Sequence, residues 1–330
     1  MPDDGRGPIN SGRMHRRFRW PTFAWVIFLA GYACWGSLLW SGSAAAPVTP
    51  PAVAEQKREV PTSVRVAAIQ FAADFGEAAA NREALAALVR EAAAGGAKII
   101  VLPEASIPGY ISSDHRVNWH VSGRPLEKAY RGRDPGEVAE LVPGPSTELF
   151  AALAKELGIY VTVPLIEKVG DDPVYFNTVC LMSPQGEIAA HYRKLHPYPP
   201  TEKSWANDGD RGLQTFDTEF GRVGFAICYD IHFVLEDYAK QDVWALLFST
   251  AWVDREHPAT WFWQELPEKV AGLDFHLIAA NWSSTEKPRW RGFGFSEVIR
   301  RDGKVLACAH TLTDAEIVYA DLPTSPVQGD

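Results

Sequence analysis

Cysteine is scarce in this chain, with four among 330 residues, and none stands in a CxxC or CxxH spacing. That excludes a disulfide-dense scaffold and leaves no zinc-ligand pattern, so Cys34, Cys180, Cys228 and Cys308 have to be read one at a time. A positive balance is missing too. The formal net charge is −9, and five arginines against two aspartates give the first 20 residues +3, so the remainder carries −12. An acidic body has no electrostatic hold on a phosphate backbone, which excludes a nucleic-acid partner. Internal repeats are absent, so a solenoid or propeller is not expected. Apolar material is plentiful: 46% hydrophobic and 12% aromatic residues suit one large globular domain or two small ones, not a disordered chain.

A further absence is local. Residues 20–40, WPTFAWVIFLAGYACWGSLLW, contain no charge. Their 21 residues match the length that crosses a bilayer as a helix, tryptophans lie near both ends, and the preceding arginines belong on the cytoplasmic side. With no polar face, the run does not suit a buried helix of a soluble domain. Residues 41–62 are small, Pro- and Ala-rich and unpatterned, as a linker is. Within them Ser43-Ala44-Ala45 resembles a signal-cleavage site, so the segment reads as a signal anchor or as a cleaved signal peptide. The expected division is a basic cytoplasmic tail at 1–19, a transmembrane helix or signal peptide at 20–40, a linker at 41–62 and an exported domain at 63–330. That domain would face the periplasm or cell exterior, or be secreted if the leader is cleaved.

From residue 63 onward strand-like and helix-like segments alternate. SVRVAAIQF is a β-branched run. In EAAANREALAALVREAAAGG, Leu85, Leu88, Val89 and Ala92 share one helical face, with Gly95 and Gly96 as the stop. AKIIVLPEA reads as a second strand. STELFAALAKELG predicts a helix with Leu149, Phe150, Leu153 and Leu157 inward and Gly158 at its end. IYVTVPLIE, YFNTVCLMSPQGEIAAHYRK, LQTFDTEFGRVGFAIC, VWALLFST and HLIAANWSS supply further strands, and RGFGFSEVIRRDGKVLACAH closes as a hairpin around Asp302-Gly303. The mixture predicts an α/β sandwich with sheets inside and helices outside.

Three apolar strands end in an ionisable residue: Glu104 in IIVLPEASIPGY, Lys194 in AAHYRKLHPY and Cys228 in GFAICYD. Strand ends are where α/β enzymes place chemistry. In RVGFAICYDIHF, Val223, Phe225 and Ile227 alternate as in a half-buried strand, and the segment after Cys228 reads as a helix that Asp230 N-caps. A thiol at that corner would be drawn toward the nucleophilic thiolate by the helix dipole, although free cysteine also serves as ordinary core filling. A glutamate, a lysine and a cysteine together form an acyl-transfer set: a base for the thiol proton, a cation for the oxyanion and a nucleophile. Taken singly, Glu104 could be a loop acid and Lys194 a surface lysine.

In the order and context of these three motifs, and in GFSEVIRRDGKVLA, the chain resembles the nitrilase superfamily of carbon-nitrogen hydrolases over about residues 64–322. The resemblance implies a four-layer αββα sandwich and a Glu104–Lys194–Cys228 triad, with the backbone N–H of Tyr229 facing the oxyanion. It also implies a second active-site glutamate, Glu202, eight residues after Lys194 in KLHPYPPTEKSW. Tyr229-Asp230 after the cysteine looks like the amide-hydrolysing branches, where true nitrilases carry Trp-Glu. Thr250-Ala251-Trp252 and Ala279-Ala280-Asn281 are similar to the vanin and biotinidase group, while the lysine and closing-hairpin motifs resemble bacterial amidases. Residues 112–145 form a long connection that reads as an active-site lid or as surface decoration. Tyr110, Trp119, Tyr130, Trp252 and Asn281 are the candidate substrate-pocket residues. Trp261, Phe262 and Trp263 are assigned to the core or to a dimer interface. The expected activity is hydrolysis of a non-peptide amide through a cysteine acyl-enzyme, with a small-molecule amide as substrate, no metal or organic cofactor, membrane attachment through the N-terminal helix, and a homodimeric state. Nitrile hydrolysis, amide-forming acyl transfer and a non-catalytic binding module are the alternatives.

Overall fold

The computed structural model describes residues 61–109, 134–199, 201–252, 260–286, 289–290 and 292–324. The 20–40 segment, its flanking tail and most of the linker, together with Tyr110, Trp119 and Tyr130, lie outside the described residues. Among the described residues no helix is long and apolar enough to cross a membrane.

Strands β1 (Ser63–Gln70), β2 (Ile99–Val101), β3 (Tyr160–Lys168), β4 (Tyr175–Met182) and β5 (Ile188–Arg193) build one sheet, and β6 (Thr215–Thr218), β7 (Gly221–Ile227), β8 (Ala245–Ser249) and β9 (His276–Ala280) most of another. A two-stranded piece, β10 (Thr285–Glu286) with β11 (Arg289–Trp290), stands apart. The closing hairpin β12 (Glu297–Ile299) and β13 (Val305–Cys308) turns through Asp302-Gly303 as expected, and β14 (Glu316–Pro323) follows. The sheet orders are β14-β1-β2-β3-β4-β5 and β13-β12-β9-β8-β7-β6. Each has parallel strands at its centre, β1-β2-β3 in one and β7-β8-β9 in the other, and antiparallel strands outside.

The period-two alternation of the strands explains the layering. Val64, Val66 and Ala68 face inward to meet Val223, Phe225 and Ile227 of the opposite sheet, while Ala67 and Ile69 face outward. On that outer face lie helices α1 (Ala78–Ala94) and α3 (Pro145–Leu157), through Leu85, Val89, Ala92, Phe150 and Leu153. The other sheet carries α4 (Leu235–Ala239) and α5 (Leu266–Ala271) on its outer face, through Leu235, Tyr238, Leu266 and Val270. The short helix α2 (Pro135–Val138) belongs to the 112–145 connection. The result is the αββα sandwich that the motifs imply.

Three local readings need correction. Leu149, expected inward on α3, is exposed; Phe150, Leu153 and Ala154 fill the face instead, because the preceding turn is set by Pro145 and the Thr147–Gly144 hydrogen bonds. Strand β7 is covered on both faces: Gly224 and Ala226 turn outward beneath α4, where a Cβ at Gly224 would lie 2.8 Å from the Tyr238 ring. Strand β14 was not read as a strand. Its alternating Val318, Ala320 and Leu322 bury against the opposite sheet while β14 pairs with β1 over eight residues. The helices stop at the expected glycines: Gly96 and Gly158 sit at φ +92° and +62°, left-handed values that glycine adopts freely.

Candidate active site

Near the carboxyl ends of the parallel strands in the two sheets lies a buried cluster of polar side chains. Immediately beyond β2 the chain is pinned on both sides: Leu102 N donates to Thr162 Oγ1 (2.8 Å), and Ser249 Oγ, at the end of β8, donates to Leu102 O (2.8 Å). Glu104 follows, 1% exposed. Its Oε2 accepts from Ala251 N (2.9 Å), its Oε1 from Lys194 Nζ (2.7 Å), and its backbone oxygen from Trp282 Nε1 (2.7 Å). Ala105 next to it holds φ +46°, a conformation that a non-glycine residue keeps only when its surroundings impose it.

Lys194 leaves β5 with a fully buried side chain. Its ammonium donates to Glu104 and to Glu202 Oε2, and Glu202, buried in a short 3-10 turn (Glu202–Ser204), also accepts from Tyr198 N (2.6 Å). A residue that the motifs did not reveal joins them. Asn177, in the middle of β4, donates one N–H to Glu104 Oε1 (2.8 Å) and the other to Glu202 Oε1 (2.6 Å). An asparagine buried inside YFNTVCLM, where apolar and β-branched residues would be favoured, was the available signal.

Cys228 follows β7 at φ +43°, on a tight elbow opening a turn of 3-10 helix (Cys228–His232). Glu104 and Lys194 both act on its thiol electrostatically. The expected helix dipole is not what tunes this thiol: the turn spans five residues, and α4 starts only at Leu235. Burial, then the charge of Glu104, push the thiol well above its ordinary range, with Lys194 opposing. Asp230 is likewise not the N-cap of that helix. Fully buried, it accepts from Tyr192 OH (2.7 Å), His196 N (2.8 Å), His196 Nδ1 (3.0 Å) and Ile227 N (3.3 Å), and so ties the elbow to the segment after Lys194.

Electrostatics divide the labour. Burial pushes Glu104 up to about 7, Glu202 adds to the rise, and Lys194 opposes it. For Lys194 burial works against the charge, but Glu104 and Glu202, with smaller contributions from Cys228 and Asp230, hold it above the ordinary lysine range. At neutral pH the cluster therefore holds an ammonium, a neutral thiol, and a glutamate poised to gain or lose a proton.

Glu104, Lys194, Glu202 and Cys228 are thus brought together, and Tyr229 begins the turn beside the nucleophile. Its ring packs edge-on against Tyr198 (5.1 Å) and Phe233 (5.1 Å). Trp252 is half-buried and stacks on Trp261 (4.2 Å, 12°) in a cluster that also includes His232 and Phe262. Trp261 and Phe262 are core, whereas Trp263 is half exposed against Phe295. Asn281, expected in the pocket, is a loop fastener instead. Its Oδ1 accepts from Trp252 N (2.8 Å) and Trp282 N (2.9 Å), and its Nδ2 donates to Gly294 O (2.7 Å). Cys180 is buried as core filling, and Cys308 is half-buried on β13.

Comparison with known proteins adds an independent line. The model of the carbon-nitrogen hydrolase family matches residues 65–329. The chain is 30% identical to human omega-amidase NIT2 over 273 residues, covering 79% of this chain and 89% of that one. It is 34% identical over 169 residues to an aliphatic nitrilase of Sinorhizobium fredii (strain HH103), covering 51% of this chain and 54% of the relative. Its fold resembles the crystal structure of an amidase from Nesterenkonia sp., with a TM-score of 0.65 at 20% identity over 80% of this chain and 92% of the other. With a family match running nearly from β1 to the end of the chain, and amidases among its relatives, this chain belongs to the carbon-nitrogen hydrolases of the nitrilase superfamily.

Proposed function

We propose that the protein is an amidase that cleaves a non-peptide carbon-nitrogen bond through a thioester on Cys228, working on the outer side of a membrane. The observation that carries the reading is the convergence of a buried, hydrogen-bonded Glu104–Lys194–Glu202 cluster on Cys228, with Glu104 pushed up to about 7 by burial. Ionised Glu104 takes the thiol proton as sulfur attacks the amide carbon. The oxyanion is met by the Lys194 ammonium and the Tyr229 N–H. As the tetrahedral intermediate collapses, Glu104 returns the proton to the leaving amine, and the carbon-nitrogen bond breaks. Water then attacks the thioester with Glu104 again as base, releasing the carboxylic acid and restoring the thiol. Glu202 and Asp230 keep the lysine charged throughout.

The amide reading draws support from the omega-amidase relative, and Tyr229-Asp230 favours it as well. The aliphatic nitrilase relative is the observation in favour of a second reading, nitrile hydrolysis. Export rests on the sequence of residues 1–62. A panel of primary amides, secondary amides and aliphatic nitriles, assayed with the wild type and Cys228→Ala, tests the proposal. Acid and amine or ammonia should appear from amides with the wild type only, and rapid quenching should reveal an acyl mass on the Cys228 peptide. Turnover of nitriles alone would favour the second reading, and turnover by Cys228→Ala would sink both.

A further inference from the structure

Asn177 holds a position that neither the motifs nor the family match assigns a role. It is 1% exposed, on the strand beside the one that leads into Lys194, and Lys194 N donates to its backbone oxygen (2.8 Å). Its side-chain orientation follows from its neighbours. Two carboxylate oxygens, Glu104 Oε1 at 2.8 Å and Glu202 Oε1 at 2.6 Å, can only be met by the NH2 end of the amide. The other end, Oδ1, is buried with no hydrogen-bond partner among the described residues. An orphaned carbonyl oxygen is a poor arrangement for stability alone. It is tolerable where the two N–H groups are needed elsewhere.

We propose that Asn177 is a positioning residue of the catalytic centre: by giving one N–H to each glutamate it occupies Glu104 Oε1 and leaves Glu104 Oε2 as the oxygen that takes the Cys228 proton. The oxygens can be counted. Oε1 already accepts from Lys194 and Asn177, whereas Oε2 accepts only from Ala251 N and keeps a lone pair. The same clamp sets the pH range of the base. The groups facing Glu104 are Lys194 from the end of β5, Glu202 from its 3-10 turn and Cys228 from the elbow, with Asp230 acting on Lys194. One ammonium serves two carboxylates there. Asn177 supplies a neutral donor to each, which favours the ionised form of Glu104, so that it is a base near neutrality instead of a permanently protonated acid.

This inference rests on the assignment of Glu104 as base and Cys228 as nucleophile, and the test separates the two. Full-length protein is treated with iodoacetamide across a pH series, and carbamidomethylation of the Cys228 peptide is followed by mass spectrometry, so no substrate need be known. In the wild type the rate should climb through a midpoint of about 7. In Asn177→Leu, which keeps the branched shape but has no donor, the midpoint should move upward by about one pH unit. The rate at neutral pH then falls about fivefold and recovers above the new midpoint. Asn177→Ser, with one donor, should shift less in the same direction, and it decides the matter should the leucine variant not fold. A folded variant whose rate drops equally at every pH, with the midpoint unmoved, would show that Asn177 only fills space and would overturn the inference. Glu104→Gln is the control: if it alkylates at the wild-type rate, the base assignment has failed and the inference falls with it.

Discussion

At the position of Gly209 a side chain has nowhere to go. A Cβ there would lie 2.2 Å from Arg193 O and 2.9 Å from Lys194 O, while Gly209 N donates to Lys194 O at 2.8 Å. Both obstacles are backbone, so no rotamer change relieves the clash, and the strand end that carries the lysine has to move. Gly209→Ala should therefore lose about 1–3 kcal/mol of stability by overpacking. It should also lose activity out of proportion to that, because a catalytic ammonium is displaced. Gly212 is the comparison: its φ of +64° strains an alanine, but nothing lies within 4 Å, so Gly212→Ala should cost about 1 kcal/mol and leave turnover alone. Thermal unfolding with kinetics on the two variants checks this, and equal turnover in both would refute the coupling of Gly209 to Lys194. Single residues were legible in the sequence where chemistry is rare in its context. Glu104 and Cys228 each interrupt an apolar run, and Lys194 closes a strand. Asn281 does too, yet its polar atoms serve loop backbone, and nothing in AANW distinguishes a fastener from a substrate ligand. Asn177 was overlooked for the opposite reason, since one amide in a strand resembles noise until two carboxylates are found against it.

The elements that present these residues were read less well than the residues themselves. Helix signals after Cys228 suggested a dipole acting on the thiol, but what the chain forms is one 3-10 turn, a gap and the short α4, and propensity gave way to the packing of Tyr238 and Leu235 under the sheet. Asp230 consequently holds elements together instead of capping one. Its carboxylate receives four donors from β5, the lysine loop and β7, all in a buried place. Asp230→Ala would leave the Tyr192 hydroxyl and the His196 amide without an acceptor, and unmet buried donors cost about 1–3 kcal/mol each. The expected result is a loss on the order of 3 kcal/mol in chemical denaturation, accompanied by a fall in kcat/KM as the elbow and Lys194 lose registry. A variant that denatures within about 0.5 kcal/mol of the wild type would show that the turn holds its own shape.

Across the whole molecule, the alternation of β1, β3, β4 and β7 was enough to read a sandwich, because period-two burial fixes which face each side chain takes. What escaped was closure: β14 lies far from β1 in sequence, and pairing between the two depends on the entire intervening chain. The thiol's environment bears on where such a molecule can work. A cysteine that rests neutral because burial and the Glu104 charge disfavour the thiolate offers little thiolate to oxidants, which suits an oxidising exterior. The sequence expectation points the same way, with arginines before the uncharged 20–40 run and an acidic body after it. Intact cells expressing the full chain should therefore expose residues 63–330 to added protease, and the activity should sediment with membranes through an alkaline wash if residues 20–40 remain as an anchor. If the leader is cleaved, activity should appear outside the membrane, and its mature N-terminus should map shortly after Ala45. Activity recovered in the cytosol, with the body shielded from external protease, would overturn the assignment of an exported enzyme while leaving the chemistry of Cys228 intact.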